Sequence, residues 1–370
     1  MKRGIQIVLL LAIIIGFSNC KEKQADAIYN KAYINEIRAA RKDLALFLNL
    51  NKIPGASIAI SKNGENIYSE AIGYASLDLD VQVTRDTKFR IGDLSELFTS
   101  FMYLRMVDDG LLNPDSMVQH YIPDFPEKEY EVKLHHLVNQ ISGLREARPG
   151  EKDSQEQNVT LQKGLALFKN DQLQSYPGLD QTFNMFDNNL LGAVMENATN
   201  KKFIKILEEY VTDTLNLSNT TIDDPFKFIK GRTDFYDHNI LSNIINAPSR
   251  DFRYSAPSQG LLSNAEDLVS LGNAILYSDL ILKKTKETMF NPIILLDDSK
   301  ADMANGWFLM IDENNNDIYG RTGNILGGSA AILLYPKLGL VIAITANLTS
   351  NMGESPIFKI ADYFIKLEKE

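Results

Sequence analysis

Near the end of the chain, "AAILLYPKLGLVIAITAN" (residues 330–347) sets two apolar, β-branched runs on either side of a Pro336-Lys337-Leu338-Gly339 turn. Such runs read as strands, and the turn joins them into a hairpin. A second hairpin signal stands near the other end. In "ASIAISKNGENIYSEAIG" (residues 56–73) two strand-like runs flank Asn63-Gly64, a dipeptide suited to a two-residue turn. Between the hairpins the pattern becomes helical. Leu94 to Met106 is apolar on nearly every side, which predicts a buried helix ended by Asp108-Asp109-Gly110. Residues 110–255 mix helical patterns with long polar connections such as Glu146 to Val159, and a second β-rich region follows Gly306-Trp307. Ile34, Ile37, Leu44, Phe47 and Leu48 recur at helical spacing through Leu50, where Pro54-Gly55 stops the pattern. Ile357 to Leu367 fits a closing amphipathic helix. β elements at both ends with helices between them suggest one sheet built from N- and C-terminal segments and a mostly helical insertion, an α+β class. Ligands in such folds sit preferentially in the crevice between the two parts.

The first twenty residues read differently. Lys2 and Arg3 precede an unbroken apolar run, Ile7 to Ile15, which is too short to span a bilayer and suits the core of a signal peptide. The run leads to Phe17-Ser18-Asn19-Cys20 and then to the charged Lys21-Glu22-Lys23. This resembles a bacterial lipoprotein signal, in which the Cys becomes the first mature residue and carries the lipid. Cys20 is the only cysteine, so no internal disulfide is available, and the lone thiol lies where lipidation would use it. The expected organisation is a signal over 1–20, a polar tether over 21–33 and one domain over 34–370. Within that domain, 34–92 and 256–370 supply the sheet part and 93–255 the mainly helical part. The expected location is the bacterial cell envelope, with the lipid on Cys20 as the membrane anchor.

Composition and missing motifs exclude several functions. Acidic residues outnumber basic ones, 48 to 38, which disfavours a nucleic-acid partner. The four histidines, His120, His135, His136 and His238, form no H-E-x-x-H and have no cysteine partners. His135 and His136 adjoin on a helix, so their side chains are expected about 100° apart, a poor chelating geometry. No metal or other cofactor is expected. There is also no G-x-S-x-G elbow and no G-x-x-x-x-G-K-[ST] phosphate loop.

What remains is an ordered set of segments: "IPGASIAISKNGE", "FRIG", "LRMVDDGLLNPDSMVQHYIPDFP", "LHHLVNQISGL", "NNLLGAVME", "QGLLSNAEDLVSL", "NGW" and "GRTGNILGG". Their order and spacing over residues 34–367 resemble the serine β-lactamase and penicillin-binding-protein superfamily, specifically its class C-like hydrolases and esterases. That resemblance implies an antiparallel sheet flanked by helices, a mostly helical inserted domain and an active site between them. It also implies three catalytic motifs, whose positions can be inspected one by one.

S-x-x-K places a nucleophilic Ser at the start of the buried helix and a Lys one turn on. After Phe89-Arg90-Ile91-Gly92 those positions hold Asp93 and Glu96. Ser95 is the third residue of the tetrad, about 200° around the helix from Asp93, and is expected to face the packed interior. The Tyr and Asn of Y-x-N, counted back from Leu190-Leu191-Gly192, are replaced in Phe183-Asn184-Met185 by Phe183 and Met185. The third motif, K/H-T-G, reads Arg321-Thr322-Gly323, and Arg keeps the charge while its high pKa bars proton exchange near neutral pH. The family's oxyanion-hole N–H groups map to Asp93 and Asn324, so a carboxylate at Asp93 puts negative charge where negative charge must be stabilised.

The resemblance therefore implies a hydrolase fold with its acyl-transfer set degenerate at Asp93, Glu96, Phe183, Met185 and Arg321. The pocket is expected to be lined by these five with Thr322, Gly323 and Asn324. Asp93 and Glu96 should face Arg321 in an ion pair or small network. A cleft of that charge suits a cationic or zwitterionic ligand, and a cell-wall peptide is what the family implies. Two other readings stay open: a hydrolase working by an unusual route, through Ser95 or a water held by Asp93 and Glu96, and a structural or partner-binding envelope protein with a closed cleft.

Overall fold

A computed structural model describes residues 27–151 and 160–365. In chain order its strands are β1 (Ala27–Tyr29), β2 (Gly55–Lys62), β3 (Glu65–Ser76), β4 (Val81–Gln82), β5 (Phe89–Arg90), β6 (Thr221–Ile222) and β7 (Tyr236–His238). They continue as β8 (Ile244–Asn246), β9 (Leu261–Ser263), β10 (Met303–Ala304), β11 (Trp307–Ile311), β12 (Asp317–Ile325), β13 (Gly328–Tyr335) and β14 (Leu340–Ala346). The longer helices are α1 (Ile34–Leu50), α2 (Ser95–Asp108), α3 (Met185–Thr199), α4 (Ala265–Tyr277) and α5 (Ile357–Ile365).

Strands from both ends of the chain share one antiparallel sheet, in the order β1-β3-β2-β14-β13-β12-β11-β10, with β4 on β3. The N-terminal hairpin β2–β3 turns at Asn63-Gly64, both at positive φ (51° and 83°), as that dipeptide favours. The C-terminal hairpin β13–β14 meets β2 through β14, pairing Ile344 with Ile58. Its strands are apolar without alternation because both faces are covered. Leu340, Ile342 and Ile344 enter a core under α1 and α5, whereas Val341 and Ala343 enter the larger core shared with α2, α3 and α4. Helix α2 lies inside that larger core, which explains its apolar character on all sides.

Three sequence expectations need correction. Residues 27–33 are not tether: β1 pairs with β3 at the sheet edge, Tyr29 opposite Tyr68, and a short 3₁₀ turn follows over Lys31–Tyr33. A three-residue edge strand is held through its backbone, and Ile28 and Tyr29 stay exposed, so no burial pattern announces it. His135 and His136 do not diverge; their ring centroids lie 4.2 Å apart, edge to face. Each ring has a backbone partner, His135 the Pro114 carbonyl 21 residues away and His136 Nδ1 the nearby Lys133 N–H. The middle of the chain also carries the small strands β6 to β8 among its helices. Among the described residues no helix is long and apolar enough to cross a membrane. The signal over 1–20, Cys20 and the end of the closing helix at Leu367 lie outside the described residues.

Candidate active-site cleft

The entrance to α2 organises the site. Gly92–Leu94 form a 3₁₀ turn that runs directly into the helix, so Asp93 precedes Glu96 by one tight turn. Strand β12 presses on that turn at backbone distance. Gly92 has φ +53°, and a side chain there would put its Cβ 2.8 Å from the Asn324 nitrogen. A Cβ on Gly323 would lie 2.1 Å from the Ile91 carbonyl oxygen. Glycine at both positions is what lets strand and helix entrance touch. The cleft lining expected to include Gly323 and Asn324 does not; their backbone packs against the helix entrance at Ile91–Leu94 instead.

The expected ion pair is present. Arg321 Nη2 donates to Glu96 Oε2 at 2.5 Å, with both side chains at least 95% buried. Gln140 Nε2 donates to the same oxygen at 2.7 Å. Arg321 also points Nη1 at the Met303 sulfur, 2.7 Å away, and its guanidinium carbon lies 5.4 Å from the Phe308 ring centroid. Burial pushes the Glu96 carboxyl up, to about 8; Arg321 opposes the rise and the Asp93 charge adds to it. Burial likewise raises Asp187, a fully buried acid on α3 that accepts a hydrogen bond from Ser142 Oγ. For Glu96, full burial with the Asp93 charge outweighs one arginine.

A cleft of about 230 Å³ opens here, lined by Asp93, Glu96, Phe183, Met185, Arg321 and Thr322. Phe183 is half exposed, its ring 5.3 Å from that of Phe308. Met185 is buried, and its sulfur accepts from Gln259 Nε2 at 3.8 Å. Gln140, Asn184, Gln259 and Phe308 complete the lining. These four were not singled out from sequence, although three of them stand inside or beside marker segments quoted above, "LHHLVNQISGL", "QGLLSNAEDLVSL" and "NGW". Asn184 also serves the helix: its Oδ1 accepts from the N–H groups of Phe186 and Asp187 and caps α3.

Ser95 faces the interior, as its helical position predicts. It is fully buried, its Oγ donates to the Gly92 carbonyl at 2.7 Å and accepts from the Leu261 N–H at 3.2 Å. Both capacities of the hydroxyl are committed to the fold.

An antiparallel sheet, a helical part over one face, and a cleft at the N-terminal end of the buried helix between them define the β-lactamase and transpeptidase class of fold. Comparison with known proteins agrees at the level of sequence. The Beta-lactamase family matches residues 44–361, and the chain belongs to that family. The human mitochondrial serine beta-lactamase-like protein LACTB is 24% identical over 423 residues, covering 85% of this chain and 77% of LACTB. Protein flp of Staphylococcus aureus strain MW2 is 25% identical over 313 residues, covering 82% of this chain and 61% of flp. Among solved structures, FmtA from Staphylococcus aureus superposes with a TM-score of 0.77 at 19% identity, covering 94% of this chain and 92% of FmtA. A class C beta-lactamase superposes at 0.75 and 17% identity, covering 91% of this chain and 97% of the enzyme.

Proposed function

We propose that this chain is a lipid-anchored envelope member of the family in which acyl-enzyme chemistry has been lost and the cleft retained for binding. The buried contact between Glu96 and Arg321 carries the reading. The helix position that would hold a proton-accepting Lys holds an acid instead, tied to an arginine that cannot exchange protons near neutral pH. The position of the nucleophile holds Asp93, and the only nearby hydroxyl on the helix entrance, Ser95, is spent on two backbone groups. Phe183 offers no titratable atom. General acid–base assistance is worth ~10²–10⁴ in rate, and here it has no nucleophile to assist. The mixed charge of the lining suits a cationic or zwitterionic ligand, and a cell-wall peptide fits both that charge and the penicillin-binding neighbours among the solved structures.

Covalent probes test this. The full chain, incubated with a fluorescent penicillin and with a fluorophosphonate, takes up no label. Labelling that disappears in Ser95→Ala overturns the reading in favour of a working hydrolase. Replacing Asp93→Ser, Glu96→Lys, Phe183→Tyr and Met185→Asn together restores acylation if only the chemistry has been lost. The anchor is tested by the mass of the mature N-terminus: a lipid on Cys20, absent in Cys20→Ala, is the expected result. Thermal shift against muropeptide fragments addresses the ligand, with ~2.7 kcal/mol of added stability expected at 100 times Kd.

A further inference from the structure

One end of the main sheet carries three exposed apolar turns. Leu77, Leu79 and Val81 alternate with Asp78 and Asp80 after β3, Ile240 and Leu241 tip the β7–β8 hairpin, and Leu50 ends α1. Leu50, Leu79 and Leu241 are 73–75% exposed and Ile240 is fully exposed. Contacts hold the three turns together. Lys52 Nζ donates to the Ser242 carbonyl at 3.2 Å, Asn246 Nδ2 to Asp78 Oδ2 at 3.2 Å, and the Leu77 N–H to the Tyr236 hydroxyl at 2.7 Å. Single exposed leucines are ordinary. Several on adjoining turns at one end of a domain mark an interaction surface.

The chain enters the fold at this same end. Strand β1 runs antiparallel to β3, Tyr29 opposite Tyr68 and Ala27 opposite Glu70, so its start points toward Ile72 and Gly73. Those two residues line a hollow with Lys52 and Ile244, beside two of the apolar turns. Cys20 is seven residues before Ala27, a distance the chain spans with at most about 25 Å.

We infer that this end of the sheet is a membrane-docking face, on which Leu79, Ile240 and Leu241 enter the head-group region of a bilayer of zwitterionic phospholipid. The inference rests on the lipid-anchor reading above, because the anchor at Cys20 is what brings the face to a bilayer. Apolar side chains at the interface then add to the hold of the lipid, as paired membrane signals do. Asp78 and Asp80 on the first turn and Asp237 at the base of the β7–β8 hairpin outnumber Lys52 at this end and select against an anionic surface, whose lipids attract basic segments instead. Zwitterionic head groups present an ammonium to meet them.

The test uses the full lipidated chain in phosphatidylcholine–phosphatidylethanolamine vesicles, with bimane placed on Leu79→Cys, Ile240→Cys or Glu313→Cys. Lipidation of Cys20 leaves the introduced thiol as the one that reacts. Glu313 lies in the β11–β12 turn, at the other end of the sheet. Doxyl-labelled lipid should quench the probes at 79 and 240 at least twofold and leave that at 313 unchanged, and replacing half the lipid by phosphatidylglycerol should reduce the quenching. A chain that carries the lipid and floats with the vesicles while both probes stay unquenched overturns the docking face alone. A mature N-terminus without lipid overturns the anchor reading and the docking face with it. Self-association abolished by Leu79→Asp with Ile240→Asp assigns the face to a second copy and overturns the bilayer as its occupant.

Discussion

Two buried arginine–carboxylate pairs hold this molecule's strands to its helical part, and they are built to different standards. Arg90 on β5 donates through Nε to Asp223 at 2.7 Å and through Nη1 to the Leu326 carbonyl at 2.8 Å. Arg232 bonds the other Asp223 oxygen at 3.2 Å, and the Arg90 guanidinium stacks 3.7 Å from the Phe235 ring centroid. The Glu96–Arg321 pair is as deeply buried, yet Arg321 Nε, Gln140 Oε1 and, near them, Asp187 Oδ2 have no hydrogen-bond partner. Fold-serving polar groups in protein interiors are satisfied almost without exception. Isolated unpaired atoms also occur at Ser100, Arg250 and Ser355, but the cleft is where three of them gather around one buried pair.

The comparison fails or sharpens on measurements of stability. Asp223→Ala strands Arg90 in the interior and should cost ~3–5 kcal/mol, read from urea denaturation at pH 7. The cleft pair should respond in the opposite sense. Exchanging both members, Glu96→Met with Arg321→Met, removes a desolvated guanidinium and the buried carboxyl group it is tied to, so stability should rise by ~1–4 kcal/mol while any ligand response is lost. A double variant as damaged as Asp223→Ala would show the two pairs to be equivalent joints and end the distinction.

How much of this was readable in advance follows from the range of the interactions. The two hairpins announce themselves through local turn chemistry and apolar runs, so the sheet's core was legible. The pairing of Glu96 with Arg321, 225 residues apart, was legible through motif spacing, because family order substitutes for distance. Gln140 and Asp187 were not. Gln140 reaches Glu96 across 44 residues, and Asp187 meets Ser142 across 45, with no local pattern to mark either contact. Strand β1 escaped for the opposite reason: three residues on an edge bury too little to leave a period.

Titration separates the pairs on a finer scale. Glu96 titrates near 8 in the fold against an ordinary 4.5, so between those values the folded chain holds the extra proton. Stability is therefore fully present below about pH 4.5, falls as pH rises, and levels off above 8. One such proton gives ~1.4 kcal/mol per pH unit, or on the order of 2 kcal/mol between pH 6 and 7.5. Asp187 and Asp267 are also raised by burial and act with the same sign. The diagnostic is thus the difference between wild type and Glu96→Gln, whose stability should fall less steeply over that range. Equal slopes for the two proteins would place the titrating group elsewhere.

The smallest effect concerns Asn184, which lines the cleft and caps a helix. Asn184 Oδ1 accepts two backbone N–H bonds at the start of α3, so Asn184→Ala should cost ~1 kcal/mol, as other cap deletions do. At an exposed cap, Asp restores nearly all of such a loss, because a carboxylate also favours the positive end of a helix. Here Asn184→Asp should restore only part. The position is buried beside Asp187, whose own carboxyl is already held far above its usual range, and the Glu96 charge contributes to that rise. A third acid in that space meets desolvation and like charge together. Full rescue by Asp at pH 7 would mean the cluster is wetter and better compensated than its unpaired atoms indicate, and would bring the cleft pair back level with Arg90 and Asp223.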